Sequence, residues 1–201
     1  LPIKKSITEW WTVKLAPHVA NDESRFFDNT ATPNNSSIFS RTYNLDLQNN
    51  LFLGNYFSVV FGADLREQKG ELTSSSLTKS INNQGYYLQN VFDYEDRITL
   101  TGGFRHDINS VFDEKTTYKV EGAYKFKDTG TRIHSAHSTG FRAPSINDLF
   151  WPGFGNPNLK PEQSKSWEVG IDQAFIKDKL HAGITYFDSK LDNLIQFDSA
   201  T

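Results

Sequence analysis

The sequence predicts an all-β fold: an antiparallel transmembrane β-barrel segment of about nine strands. Three observations predict it. Apolar and polar residues alternate with period two through stretches long enough to cross a bilayer, which takes about 9 to 11 tilted residues. The connections between these stretches alternate long and short. Bulky aromatic residues gather near the ends of the apolar faces. No run approaches the roughly 18 to 20 apolar residues of a membrane helix. The most apolar stretch, Phe57 to Leu65, is interrupted by Ser58, Gly62 and Asp64. A mean hydropathy of −0.55 is compatible with a barrel, because only alternate residues of a barrel strand face lipid.

The strand-like segments run near 7–20, 37–48, 55–68, 84–94, 97–107, 116–127, 131–142, 164–176 and 179–191. In the fourth, Asn90 sits among Tyr86, Leu88, Phe92 and Tyr94. In the fifth, Ile98, Leu100, Gly102 and Phe104 oppose Arg97, Thr99, Thr101, Arg105 and Asp107. In the sixth, Tyr118, Val120, Gly122, Tyr124 and Phe126 oppose Lys119, Glu121 and Lys125. The seventh is weakest, with Ile133, Ser135 and His137 on its apolar side. The eighth sets Trp167, Val169 and Ile171 against Glu168, Gly170 and Asp172. The ninth sets Leu180, Ala182, Ile184 and Tyr186 against His181, Gly183 and Thr185.

The long connections are expected near 21–36, 69–83, 108–115 and 143–163, and the short ones near 49–54, 95–96, 128–130 and 177–178. Short turns on one side and long loops on the other are the signature of an outer-membrane barrel. Residues 71–83, rich in Ser, Thr and Asn, read as an exposed loop. Trp11, Phe57, Tyr94, Tyr118, Phe126, Trp167 and Tyr186 fall where interfacial girdles belong. Arg97, Arg105, Lys119, Glu121, Lys125, Glu168 and Asp172 are expected on a polar lumen wall.

Composition excludes several functions. The 201 residues carry a formal net charge of −3 and no cysteine. Disulfides, thiolate metal sites and cysteine nucleophiles are therefore excluded. No basic stripe suggests nucleic acid. His134, Ser135, His137 and Ser138 invite comparison with a nucleophile–base pair, but neighbouring strand residues point to opposite faces. His106-Asp107 reads as rim polarity rather than a metal site. No zinc-protease, phosphate-loop or dinucleotide motif occurs. An enzyme, a metal site and a cofactor are not expected.

The connection after the seventh strand is the most informative stretch. Pro144, Pro152, Pro157 and Pro161 restrict its backbone, and Gly153 and Gly155 permit tight turns. Ser145 is placed to cap a helical turn at Ile146–Phe150. The loop is therefore expected to fold over the rim. Phe141-Arg142-Ala143-Pro144, then Asn156-Pro157-Asn158-Leu159-Lys160-Pro161-Glu162, then Ser166-Trp167-Glu168, resembles the barrel motif of TonB-dependent receptors. The run from Tyr186 to Phe197 is similar to the strand that follows in that family, and the layout looks closest to its cobalamin-receptor-like branch.

The resemblance implies a bacterial outer-membrane protein with a 22-stranded barrel closed around a plug. Residues 1–201 are then expected to be a partial barrel domain, with the plug and C-terminal strands absent from this stretch. Taken alone they should form an open, curved sheet. The implied partners are outer-membrane lipid, the TonB complex acting through the plug, and a nutrient chelate, cobalamin or a ferric siderophore. Arg142, Phe150, Trp151 and Phe154 are candidate ligand contacts in the extracellular loop, where aromatics at a mouth can hold a ligand. The same aromatics can instead pack the loop onto the rim. Three rival readings differ in what they require. A passive porin needs an open lumen, a membrane hydrolase needs a coherent Ser/His constellation, and a soluble β-sheet module needs short connections at both ends.

Overall fold

The computed structural model describes residues 1–27, 36–73, 77–153, 155–176 and 179–196. They form ten strands and one helical turn: β1 (Ile3–Ser6), β2 (Trp11–Phe26), β3 (Ser36–Leu53), β4 (Phe57–Leu72), β5 (Leu77–Tyr94), β6 (Ile98–Asn109), β7 (Lys115–Phe126), β8 (Thr131–Arg142), α1 (Ile146–Phe150), β9 (Glu162–Phe175) and β10 (Leu180–Asp192). All ten strands lie in one sheet in sequence order. Every pairing is antiparallel. The sheet is open, with β1 and β10 at its edges.

Register carries each face unbroken from strand to strand. Asp46 pairs with Asp64, Asp64 with Gly85, and Gly85 with Asp107. Residues directly opposite across a ladder share a face, so one polar face runs through all of these strands. The other face is apolar. It presents Phe57, Val59, Phe61 and Leu65 on β4, Leu100 and Phe104 on β6, Val120 on β7, Val169 and Ile171 on β9, and Ile184 on β10. These side chains stay uncovered: Val120 is 58% exposed and Ile184 76%. A continuous bare apolar face is far larger than the few hundred Å² that soluble surfaces tolerate. From Phe57 to Leu65 it runs roughly 27 Å along the strand, about 19 to 22 Å along a membrane normal at barrel tilt.

Rings border the apolar band at both ends. At the short-turn end, Tyr56 lies 5.1 Å from Tyr94, Phe57 4.8 Å from Phe92, and Tyr124 4.6 Å from Phe126 (ring centroids). At the long-loop end, Trp167 lies 5.2 Å from Tyr186, and Tyr118 5.6 Å from His137. The seven aromatics expected at girdles all fall on this apolar face.

The structure departs from the sequence reading in three places. The strand count is ten, because β1 is a separate four-residue strand that pairs Ile3 with Leu15. Its Ile-Lys-Lys-Ser run carries no alternation to detect. Second, the expected loop at 71–83 is mostly strand. The β4–β5 ladder continues without a break from Phe57–Phe92 to Leu72–Leu77. Beyond the apolar band a strand has no lipid-facing side to present, so it needs no apolar alternation, and the ladder alone extends it. Third, Arg97 does not join the polar wall. It sits in the β5–β6 turn, where Glu95 and Asp96 have positive φ, and its Nε donates to the Tyr124 hydroxyl at 3.0 Å.

A charge at the middle of the apolar face should be costly, while one on the polar face should not. Val120→Arg in the intact protein is expected to lower folding stability by about 2–4 kcal/mol in bilayers. Thr117→Arg, on the polar face, should change it little. Urea titration of bilayer-refolded protein checks this, and equal effects of the two changes would refute the assignment of faces.

Candidate functional site

The candidate site is the mouth formed where the β8–β9 connection folds back across the long-loop end of the polar face. Its neck is an ion pair. Arg142, the last residue of β8, stands opposite Glu162, the first of β9. Arg142 Nε and Nη2 each donate to one Glu162 oxygen at 2.8 Å. The planar guanidinium fork fits a carboxylate in two parallel bonds. Glu162 is only 8% exposed and also accepts the Ile195 backbone N–H at 2.7 Å. One carboxylate thus ties the end of β8, the start of β9 and the segment after β10. The Arg142 bonds, then the Ile195 N–H, hold the Glu162 carboxyl down at about 2.

Between these two residues the loop is built by local chemistry. Pro144 and Pro161 are buried beside the neck. Ser145 caps α1: its hydroxyl accepts the Asp148 N–H at 3.1 Å, and the Asp148 carboxylate accepts the Ser145 N–H at 2.8 Å. Gly153 adopts φ +82° and turns the chain back. The Gly155 N–H donates to Trp151 O at 2.7 Å and the Asn156 N–H to Asp148 O at 2.9 Å. Gly155 has no room for a side chain, because a Cβ there would meet the backbone of Phe150 and Trp151. Asn156 Oδ1 accepts the Asn158 N–H at 3.0 Å, an Asx turn around Pro157.

This folded loop docks on the ends of β3, β4 and β5. Ile146, Asn147 and Trp151 face Ile38, Gly70, Leu72 and Leu77 across a small gap of ≈ 20 Å³. Gly70 leaves space for the Ile146 side chain. Leu149, Leu72 and Ile81 are 2%, 7% and 4% exposed, and they are the buried hydrophobic residues among those described. Lys79 Nζ lies 4.9 Å from the Phe150 ring centroid, a cation–π contact. The Phe141 ring meets Phe112 edge-on at 5.8 Å.

Of the candidate contacts, Arg142, Phe150 and Trp151 therefore come together in one folded loop; Phe154 lies outside the described residues. Sequence reasoning missed the residues that receive the loop. Leu72 and Leu77 were the signal, apolar residues in a stretch otherwise rich in Ser, Thr and Asn.

Below the mouth, side chains on the polar face reach across glycines to the next strand but one. Arg105 on β6 passes over Gly85 of β5 to Asp64 of β4, at 2.6 Å, while its Nε and Nη2 hold Asp107 at 2.8 and 2.7 Å. Tyr87 on β5 passes over Gly62 of β4 to donate to Asp46 of β3 at 3.0 Å. Asn83 Nδ2 donates to Asp107 at 2.9 Å. Any Cβ at Gly62 or Gly85 would occupy these paths. A cleft of ≈ 310 Å³ runs alongside, with Tyr87, Gln89, Arg105, Thr117, Lys119 and Ser138 on its polar side.

No nucleophile–base pair forms on either face among the described residues. His134 lies on the polar face, 3.6 Å from Asp172, whereas the Ser135 hydroxyl donates to Glu168 O at 2.9 Å on the other. His106 Nδ1 pairs with the Thr116 hydroxyl at 2.8 Å. Among the described residues no group of three or more His, Asp or Glu is placed to hold a metal ion.

The neck should control the loop. Glu162→Gln keeps the shape, removes the charge, and is expected to raise protease cleavage within 143–161 several-fold in the intact protein. In the unmutated protein the folded-state carboxyl lies below its ordinary 4.5. The pair therefore stabilises the docked loop fully above about 4.5, and that stabilisation fades as pH falls through about 2. Hydrogen exchange of the 145–156 amides should stay protected from pH 8 to 5. Loss of protection in that range, or no change in Glu162→Gln, would contradict the assigned role.

A family model described as TonB dependent receptor-like, beta-barrel matches residues 5–201. The vitamin B12 transporter BtuB of Photobacterium profundum is 34% identical over 113 residues, 56% of this chain and 18% of that protein. BtuB of Vibrio vulnificus is 38% identical over 106 residues, 53% of this chain and 17% of that protein. The aligned stretch thus spans less than a fifth of each relative. Among solved structures, the copper transporter OprC superposes with a TM-score of 0.79 over 96% of this chain and 38% of its own, at 14% identity. At that identity the likeness is one of fold. The matched family model spans nearly the whole sequence, and the chain belongs to the TonB-dependent receptor-like β-barrel family.

Proposed function

We propose that this chain forms part of the wall and mouth of a bacterial outer-membrane receptor that imports a nutrient chelate with energy delivered through TonB. The observation that carries the reading is the β8–β9 loop, folded by its own caps and docked across the end of a polar wall. A loop held at a mouth can contact a ligand and close a path. The apolar band and its two girdles fit residence in a bilayer. The polar face would then line the lumen, and the Arg105, Asp64 and Asp107 network would keep it hydrophilic and stiff.

Within this reading, residues 1–201 are a partial barrel domain, and the plug and C-terminal strands belong to the parts of the receptor outside this stretch. Coupling to TonB runs through that plug. Arg142, Phe150, Trp151 and Phe154 are the proposed ligand contacts. The Arg142 side chain is 54% exposed even while paired, which leaves donors free toward solvent. Cobalamin is the favoured ligand, because both curated relatives named above are vitamin B12 transporters. A ferric siderophore is the second choice.

The test uses the full reading frame containing this chain, expressed in a bacterium lacking its own cobalamin receptor. Uptake of radiolabelled cyanocobalamin is expected, and it should stop when TonB is deleted. Uptake of a ferric siderophore instead would overturn the choice of ligand but not of transport class. Ion conductance in bilayers without ligand binding would overturn the receptor reading in favour of a porin.

A further inference from the structure

On the face that carries the apolar band, the chemistry of β2, β3 and β4 changes in order as the strands leave the band toward the long-loop end. Pro17, Leu45 and Leu65 stand side by side across the ladder, an apolar row at the edge of the band. Val19, Tyr43 and Glu67 form the next row, then Asn21, Arg41 and Lys69, then Glu23, Phe39 and Glu71. Two hollows follow this order. A groove of ≈ 480 Å³ runs along Pro17, Val19, Tyr43, Leu45 and Leu65. A cleft of ≈ 310 Å³ lies beyond it, between Asn21, Phe39, Arg41, Lys69 and Glu71.

Tyr43 joins the two hollows. Its hydroxyl accepts from Arg41 Nη1 at 3.5 Å, and Lys69 Nζ lies 5.9 Å from the centre of its ring. Arg41 and Lys69 stand directly opposite each other on neighbouring strands, an arrangement that is destabilising for like charges. Glu67 pairs with Lys69 at 3.2 Å. Arg41 has neutral partners among the described residues, Asn21 Oδ1 at 2.6 Å and the Tyr43 hydroxyl. Two cations are thus held together just above an exposed apolar groove, and Arg41 has no carboxylate to answer it.

We propose that this patch binds a membrane lipid with a phosphorylated headgroup, its phosphate on Arg41 and Lys69 and an acyl chain in the groove below. Charge complementarity names the head. Guanidinium and ammonium groups both donate to phosphate oxygens, and an anion set between two cations offsets their repulsion. The groove names the rest of the occupant. It lies on the band side of the cations, so whatever fills both hollows is anionic beyond the band and apolar within it. A free phosphate lacks the apolar part. A zwitterionic head brings a positive group toward Arg41 and Lys69 along with its phosphate. The inference rests on the membrane placement proposed above.

The test uses the intact protein in detergent micelles, with bound lipid counted by native mass spectrometry. The probe is bisphosphorylated lipid A, and phosphatidylethanolamine is the zwitterionic comparison. Lipid A is expected to stay bound and phosphatidylethanolamine to leave. Arg41→Gln and Lys69→Gln should each weaken lipid A binding about fivefold, the scale for one basic side chain at an anionic lipid surface. Lys125→Gln, an equal change of charge on the polar face, should leave it unaltered. Arg41→Lys keeps the charge and should keep the lipid, which separates loss of binding from loss of fold. Equal retention of the two lipids, binding insensitive to Arg41→Gln, displacement of lipid A by inorganic phosphate, or a second copy of the protein in place of lipid would overturn the proposal. Quenching of a fluorophore attached through Leu65→Cys by lipid-borne nitroxides in proteoliposomes tests membrane placement separately, so failure of that premise is distinguishable from failure of the lipid site.

Discussion

The structure depends on one constraint: backbone N–H and C=O groups that face hydrocarbon must pair with each other, since water is not there to accept them. A meander of long antiparallel strands meets it with neighbours adjacent in sequence. Each strand from β3 to β9 pairs on both sides, in register, over most of its length. The rest follows from that ladder. Fixed register keeps one face apolar and the other polar across all the strands. Because the side-chain period is two, a slip of one residue would exchange the faces.

The ladder also explains where stability is concentrated. A single sheet has no interior of its own, and most of its large apolar side chains remain exposed for lipid to cover. Among the described residues, the buried apolar side chains are Leu72, Ile81 and Leu149, and α1 faces Ile38, Leu72 and Leu77 at the mouth. The neck pair Arg142–Glu162 sits at the root of that loop, and the Ile195 N–H adds a third strand of attachment. On the polar face the sheet is stiffened differently. Glycines at positions 62 and 85 clear a path over one strand, so that Tyr87 and Arg105 brace the strand beyond it.

Much of this was legible in the sequence because it rests on local chemistry. Alternation in β6, β7, β9 and β10 marked both faces, and the girdle aromatics marked the limits of the band. Ser145 and Asp148 announced the capped turn, and Pro144 and Pro161 announced an ordered loop. Other features were hidden for physical reasons. The ends of β4 and β5 beyond the band meet water on one side and the docked loop on the other, so Ser, Thr and Asn there resemble a loop. Arg97 was misplaced because a turn with two positive-φ residues breaks the strict alternation from which its direction was inferred. The pairing of Arg142 with Glu162 spans twenty positions and depends on the β8–β9 register.

By itself, the sequence determined what periodicity and turn chemistry can encode: an antiparallel all-β meander, its two faces, its short-turn and long-loop ends, and the folded loop with its family motif. Tertiary structure alone decided which distant residues meet. It set the loop down on Ile38, Leu72 and Leu77, carried Arg105 over Gly85 to Asp64, and joined the Ile195 N–H to Glu162. Each of these results from register and from the way strands remote in the chain are brought side by side, and no local pattern of residues specifies that.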